Sequence, residues 1–248
     1  LITIPGTPAL NVSIAGSDLN AEGTISINDT SVSSARVDVE SGGRILVNTP
    51  GRELRLIGGS AIDPNTINGG MITGSGELSS NGTGHLVGHG TIDNDVDFDG
   101  AADLLASGGT LTVSGDILDA DLLGTQDATG TLTLTQDVDT TNVAALELNG
   151  GTVNVTATNM FNNGTLRGHG QFNSVFFRNN GLIEATGGQT LTMDTTNPIN
   201  LDGTVGPGVA QVEAILGNVV IVDPLTDDFG GTITVGAGQS IDFQSGWT

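Results

Sequence analysis

Leu86-Val87-Gly88-His89-Gly90-Thr91-Ile92 returns later in the chain as Leu166-Arg167-Gly168-His169-Gly170-Gln171-Phe172. The residues after the two copies match as well. Leu104 to Val113 reads Leu-Leu-Ala-Ser-Gly-Gly-Thr-Leu-Thr-Val after the first, and Gly187 to Met193 reads Gly-Gly-Gln-Thr-Leu-Thr-Met after the second. Two copies of one pattern roughly thirty residues long mark a repeat architecture. The phrase Gly-Thr-apolar-x-apolar also starts at Gly109, Gly130, Gly151 and Gly231, and the first three starts are evenly spaced.

Such a spacing is that of one coil of a parallel β-solenoid, in which short strands turn every second side chain inward and Gly or Asn sits at the corners. Glycine suits a corner because tight bends need positive φ, and Asn tolerates that region better than most residues. The expectation is an all-β chain forming a parallel β-helix of roughly ten to twelve coils. The rival is an antiparallel β-sandwich, because the pairs Asn68-Gly69, Asn81-Gly82, Asn149-Gly150, Asn163-Gly164 and Asn180-Gly181 also suit hairpin turns. The even spacing argues against that rival.

Composition agrees with narrow coils. Gly numbers 39 of 248 residues and Pro only 7, while aromatic residues are 3% and Tyr is absent. The core must therefore be aliphatic, as in stacked coils that need no bulky fillers. The segment 1–60 is less regular and reads as N-terminal coils or a cap. Residues 61–248 carry the repeats and read as one continuous body. Val209 to Leu216 fits either a helix capped by Gly217 or another buried strand.

Charge excludes partners. Six Arg and no Lys stand against 28 acids, for a net charge of -22. Phosphate contacts need clustered cations, so nucleic acid is excluded, and no apolar run approaches a membrane-spanning length. Four of the Arg fall between Arg36 and Arg55, with Arg52 and Arg55 bracketing Glu53, which reads as a surface ion-pair patch. With no Cys, disulfides and thiolate chemistry are excluded. The start at Leu1, without Met or leader, reads as a processed or truncated end of a secreted chain.

Asn162 to Gly170 (Asn-Asn-Gly-Thr-Leu-Arg-Gly-His-Gly), Asn179 to Ala185 (Asn-Asn-Gly-Leu-Ile-Glu-Ala) and the phrase Gly-Gly-x-Thr-Leu-Thr resemble the repeats of bacterial secreted β-solenoid proteins, among them autotransporter passenger domains and adhesin-like surface repeats. The resemblance covers roughly residues 65 to 245. It implies a right-handed parallel β-helix, an extracellular or cell-surface location and an adhesive or scaffolding role. No autotransporter-type barrel is present, and the first sixty or so residues match poorly.

The sharpest local motif is Asp95-Val96-Asp97-Phe98-Asp99-Gly100 with Asp103 close behind. It places carboxylates at the first, third, fifth and ninth positions of a calcium loop, with Gly at the sixth. Ala106 stands where that loop requires a bidentate Glu. Alternation offers a second reading, a strand with Val96 and Phe98 inward and the Asp residues solvated. Ca²⁺ is the only cofactor that the residues point to, at Asp95, Asp97, Asp99 and Asp103. His85, His89 and His169 read as corner or surface residues, since His89 and His169 occupy distant coils.

No catalytic constellation stands out, and the expected function is that of a non-enzymatic extracellular structural or adhesive protein with a glycan or surface ligand. A glycan-active β-helix enzyme, a polysaccharide lyase or hydrolase, is the alternative, to be recognised by a lateral groove in which carboxylates converge with an Arg. Self-association is expected head to tail. The strand Leu1, Ile2, Thr3, Ile4 would pair with the last coil at Ile241 and Phe243 to build a surface filament.

Overall fold

The computed structural model describes residues 12–15, 19–21, 24–27, 30–33, 37–47, 50–56, 60–82, 84–197, 199–200, 210–222 and 231–244, with side chains from Val37 onward. The donor strand expected at Leu1 to Ile4 lies outside these residues. The chain forms two compact units, Leu1–Leu123 and Gly124–Thr248.

Both units are parallel β-solenoids. In the first, Leu86–Ile92 lies between Asn65–Gly74 and Asp103–Val113, pairing in parallel with each. The register puts Ile45, Ile72, Ile92 and Val113 in one column, and Leu54, Leu78 and Val96 in another. All seven are fully buried. In the second unit, Leu132, Val153, Phe172, Met193 and Ile221 form one column, and Leu146, Leu166, Ile183 and Val212 a second. Each such side chain removed from water contributes about 1.5–3 kcal/mol, which is how narrow coils without many rings hold together. Phe172 and Phe177 meet edge to face with centroids 5.3 Å apart.

Among the described residues every strand-to-strand ladder is parallel, so the sandwich alternative is excluded; the one antiparallel contact is an isolated bridge between Ser60 and Asp63. None of the Asn-Gly pairs makes a hairpin. Asn68-Gly69 and Asn149-Gly150 lie inside the long strands Asn65–Gly74 and Val143–Val155, where the strand bends from one face of the coil to the next.

One expectation needs correction, and one open choice is decided. The chain makes about eight turns, not ten to twelve, because coil length is not constant. Hydrogen-bonded partners in adjacent coils lie 17 residues apart at Asn162 and Asn179 but 32 apart at Asn179 and Gln211. The choice concerns Val209 to Leu216. Gln211–Ala214 is a strand with Val212 and Ala214 buried on alternate positions, and Ile215 and Leu216 are left exposed at the corner beyond it. A helical face joining Val212 to Ile215 and Leu216 therefore does not exist; register with Leu182 to Glu184 decides in favour of the strand. No helix among the described residues is long and apolar enough to cross a membrane. The one helical turn among the described residues, Thr140–Asn142, is 3₁₀ and capped by Asp139.

The Gly-His-Gly unit has a structural meaning. Gly88 and Gly168 adopt φ of 138° and 120°, and at both the neighbouring coil passes so close that a Cβ would strike a backbone carbonyl, that of Ile67 or Leu148. The histidines between the paired glycines lie against glycines of adjacent coils, His89 against Gly108 and Gly109, His169 against Gly150 and Gly187. A Cβ on Gly109 would crowd His89, while one on Gly108, Gly150 or Gly187 would only touch the ring.

Candidate functional site

Asp95–Gly100 is a strand, with Val96 and Phe98 buried and the three Asp side chains outside. The alternation reading thus describes the backbone, but the register brings a new partner. Asp97 lies opposite Ser79 in one neighbouring coil and opposite Asp119 in the other. The carboxylates of Asp97, Asp99 and Asp119 each offer an oxygen within 4.8 Å of the others. Among the described residues these three, rather than the four residues of the sequence motif, form the group that could hold a hard cation such as Ca²⁺. Asp119 has no local motif of its own. Only coil register reveals it.

The other two motif residues are committed elsewhere. Asp95 Oδ1 accepts a hydrogen bond from the Asp116 N–H at 2.9 Å. Asp103 is buried, and its Oδ2 lies 2.7 Å from His85 Nδ1. His85 thus sits at the corner between strands Glu77–Gly82 and Leu86–Ile92, with its ring paired to Asp103 and not left to solvent. Burial pushes the Asp103 carboxyl up, an effect that the facing His85 opposes and Asp121 reinforces.

Repulsion marks the whole acidic face. Burial raises Asp97 above the ordinary carboxylate range, with Asp99 and Glu53 adding to it. Burial likewise raises Asp119, followed by the charges of Asp99 and Asp97. Glu77 is raised by burial and then by Asp97, Glu53 and Asp95, with Arg55 pulling the other way. A carboxyl whose folded-state pKa is raised binds its proton more tightly folded than unfolded. Its stabilising contribution is complete below the ordinary carboxylate value and is lost as pH climbs through the raised value.

Asp139 in the second unit behaves oppositely. Burial works to raise it, but hydrogen bonds from the Thr141 hydroxyl, the Asn163 amide and the Thr141 N–H outweigh that and hold it low. Its contribution is present above the ordinary value and lost on further acidification. Stability is accordingly expected to rise as pH falls from neutral toward the ordinary carboxylate range, then to fall below it, as read by urea denaturation across that interval. Asp119→Asn should raise stability at pH 7 by about 0.5 kcal/mol, the scale of a like-charge pair directly opposite in a sheet, and flatten the acid-side rise. In the wild type, Ca²⁺ should raise the melting temperature beyond ionic-strength-matched NaCl, and Asp119→Asn should remove that excess; equal shifts would mean screening alone.

A second feature adjoins this face. Arg52, Glu53, Glu77 and Asp95 line a small lateral groove of about 200 Å³ with Gly51, Ser75 and Gly76. Glu53 is held by Arg55 on its own strand and by the Ser79 hydroxyl at 2.6 Å. Carboxylates and an arginine therefore converge here, as the glycan-active alternative requires, and Glu77 is the member with chemistry to offer, a carboxyl biased toward its protonated form.

Several polar side chains in the second unit form ladders from coil to coil. Thr140 donates to Asn162 Oδ1 at 3.1 Å, and Asn162 Nδ2 donates to Asn179 Oδ1 at 2.6 Å, all three residues being fully buried. One position along, Asn163 Nδ2 donates to Asp139 and Asn180 Nδ2 donates to Asn163. Asn173 Nδ2 donates to Asn154, and Arg167 bonds Glu147. The repeated Asn-Asn-Gly phrase supplies the Asn162–Asn179 and Asn163–Asn180 ladders.

The fold and these features define a parallel β-solenoid with an acidic lateral face. Comparison with protein-family models, with curated proteins and with solved structures finds no match to this chain.

Proposed function

We propose that the chain is a structural or adhesive β-solenoid acting outside the cell or at its surface, and that it associates head to tail into a filament. The observation that carries this reading is the use of polar side chains. Asp139, Asn163 and Asn180, Asn154 and Asn173, and Glu147 and Arg167 spend their hydrogen-bonding capacity on the next coil, an arrangement that stiffens a scaffold rather than activates a reactant.

The last described coil offers a surface on which a further coil or a second copy could stack. Ile233 continues the column of Val212, and Phe243 that of Ile221. Yet Ile233 is 41% and Val235 49% exposed, where their predecessors are buried. A strand from a second copy laid on this coil would extend both columns. Incubated with neutral and acidic polysaccharides, the chain is expected to release no product, while light scattering rises with concentration as filaments grow.

The groove around Glu77 favours one second reading, glycoside cleavage, with Glu77 as proton donor and Asp95 or Glu53 as the partner carboxylate. Its volume lies below the ~300–1,000 Å³ typical of small-molecule sites, which weighs against it. Turnover of any polysaccharide that disappears in Glu77→Gln, with folding unchanged, would replace the structural reading by this one.

A further inference from the structure

The Gly-His-Gly bend of the first unit opens a trough of about 480 Å³, within the ~300–1,000 Å³ range of small-molecule sites. Its wall is a column in strict register, Arg44, Met71, Thr91 and Thr112. His89 and Thr110 also face it, and the backbone of glycines such as Gly69 and Gly70 forms part of its lining. At a coil spacing of about 4.8 Å the column runs about 14 Å.

The charge in this trough is out of keeping with the rest of the molecule. Among the described residues Arg55 is tied to Glu53 and Arg167 to Glu147. Among the described residues Arg44, which is exposed, has neither an ion pair nor a side-chain hydrogen bond, although the chain carries 28 acids. None of the described residues that line the trough is acidic. An unpaired guanidinium offers a planar fork of donors matched to a carboxylate. Beside it lie a thioether and bare glycine backbone, suited to the apolar face of a pyranose ring, and threonine hydroxyls and an imidazole, suited to its hydroxyl groups.

We propose that this trough is a binding site for a saccharide that carries a single carboxylate, the acid seated on Arg44 and the neutral rings lying along Met71, Thr91 and Thr112. A net charge of -22 repels densely charged polyanions, so one isolated cation selects sugars with one isolated acid. The inference rests on the adhesive side of the proposed function and names its ligand class.

The second unit supplies an internal control. The corresponding bend, with Asn149, Gly150, His169, Gly170, Gln189 and Thr190, forms a trough of about 560 Å³ with no cation.

The test is titration calorimetry of the whole chain with 3′-sialyllactose and with a glucuronic-acid-capped disaccharide, against lactose and acetate. At least one acidic sugar should bind with Kd on the order of 1 mM in low salt, with lactose and acetate at least about tenfold weaker. Arg44→Gln should weaken the acidic sugar by about tenfold or more, while His169→Ala leaves it unchanged. Both side chains are peripheral to the core columns, and circular dichroism checks that the variants fold. The proposal is overturned if neither acidic sugar binds up to about 10 mM, if Arg44→Gln binds as the wild type does, or if acetate binds as well as the sugar. Filament growth without polysaccharide turnover would stand through any of those results, so failure here is distinguishable from failure of the scaffold reading.

Discussion

Gly168→Ala is expected to destabilise the second unit by about 3 kcal/mol or more, among the largest effects available to a single methyl group. Two causes add. The residue sits at φ 120°, which an L side chain adopts only under strain. The new Cβ would also strike the Leu148 carbonyl, and the next nearest atoms are the carbonyl carbon and amide nitrogen of the same residue. No rotamer change can relieve a collision with backbone, and Leu148 is itself locked in register with Gly168. Gly188→Ala separates the causes. Gly188 has φ 72° but nothing within 4 Å of its would-be Cβ, so it should lose only about 1 kcal/mol. Urea denaturation of the two variants, with hydrogen exchange monitored in Thr165–Ser174, reads the difference. Equal losses would show that close approach of the coils is not what requires glycine at this bend.

Asn162→Ala should cost about 2–4 kcal/mol. The truncation strips partners from the Thr140 hydroxyl, from Asn179 Oδ1 and from the Leu182 carbonyl, all bonded to Asn162. Thr140 and Asn179 are fully buried, so water cannot replace what is lost without opening the coil. Asn163 next door makes bonds of the same kind to Asp139, Thr141 and Asn180, yet it is exposed. Asn163→Ala should therefore cost no more than about 0.5–1 kcal/mol. Thermal melts of the pair decide it. If the exposed ladder proved as costly as the buried one, desolvation would not be what sets the value of these asparagines.

The fold was legible in the chain because two signals were repeated rather than single. Apolar alternation in segments such as Thr131–Leu134 and Thr152–Val155 matched a pairing that joins Leu132 to Val153 and Leu134 to Val155. The coil count was not legible, since even spacing from Gly109 to Gly151 gives no hint that Ile183 would wait until Val212 for its partner. The Val209 to Leu216 ambiguity had the same origin. A short apolar run satisfies both periods, and only its column neighbours choose between them.

The candidate sites were legible only in part. Asp97 and Asp99 could be picked from their motif, but Asp119 joins them from another coil, and Asp103 leaves them for His85. Sequence-local motifs describe loops, whereas here the neighbours that matter lie one coil away at a separation that varies. Arg44 was visible only as a member of an arginine-rich stretch. Arg55 bonds Glu53 on its own strand, a pairing the sequence shows, whereas only the coil register reveals that Arg44 faces Met71 and not a carboxylate.

The ladders also make the second unit mechanically anisotropic. Backbone hydrogen bonds and the Asn162–Asn179 and Asn163–Asn180 contacts all point along the direction in which coils stack, while the covalent chain runs across it. Tension applied along the stack would reach the coils one after another, as in a zipper, and peel them singly at low force. Load applied across the stack would fall on the covalent chain and on many coils at once, giving a body that yields readily in one direction and resists in the other two.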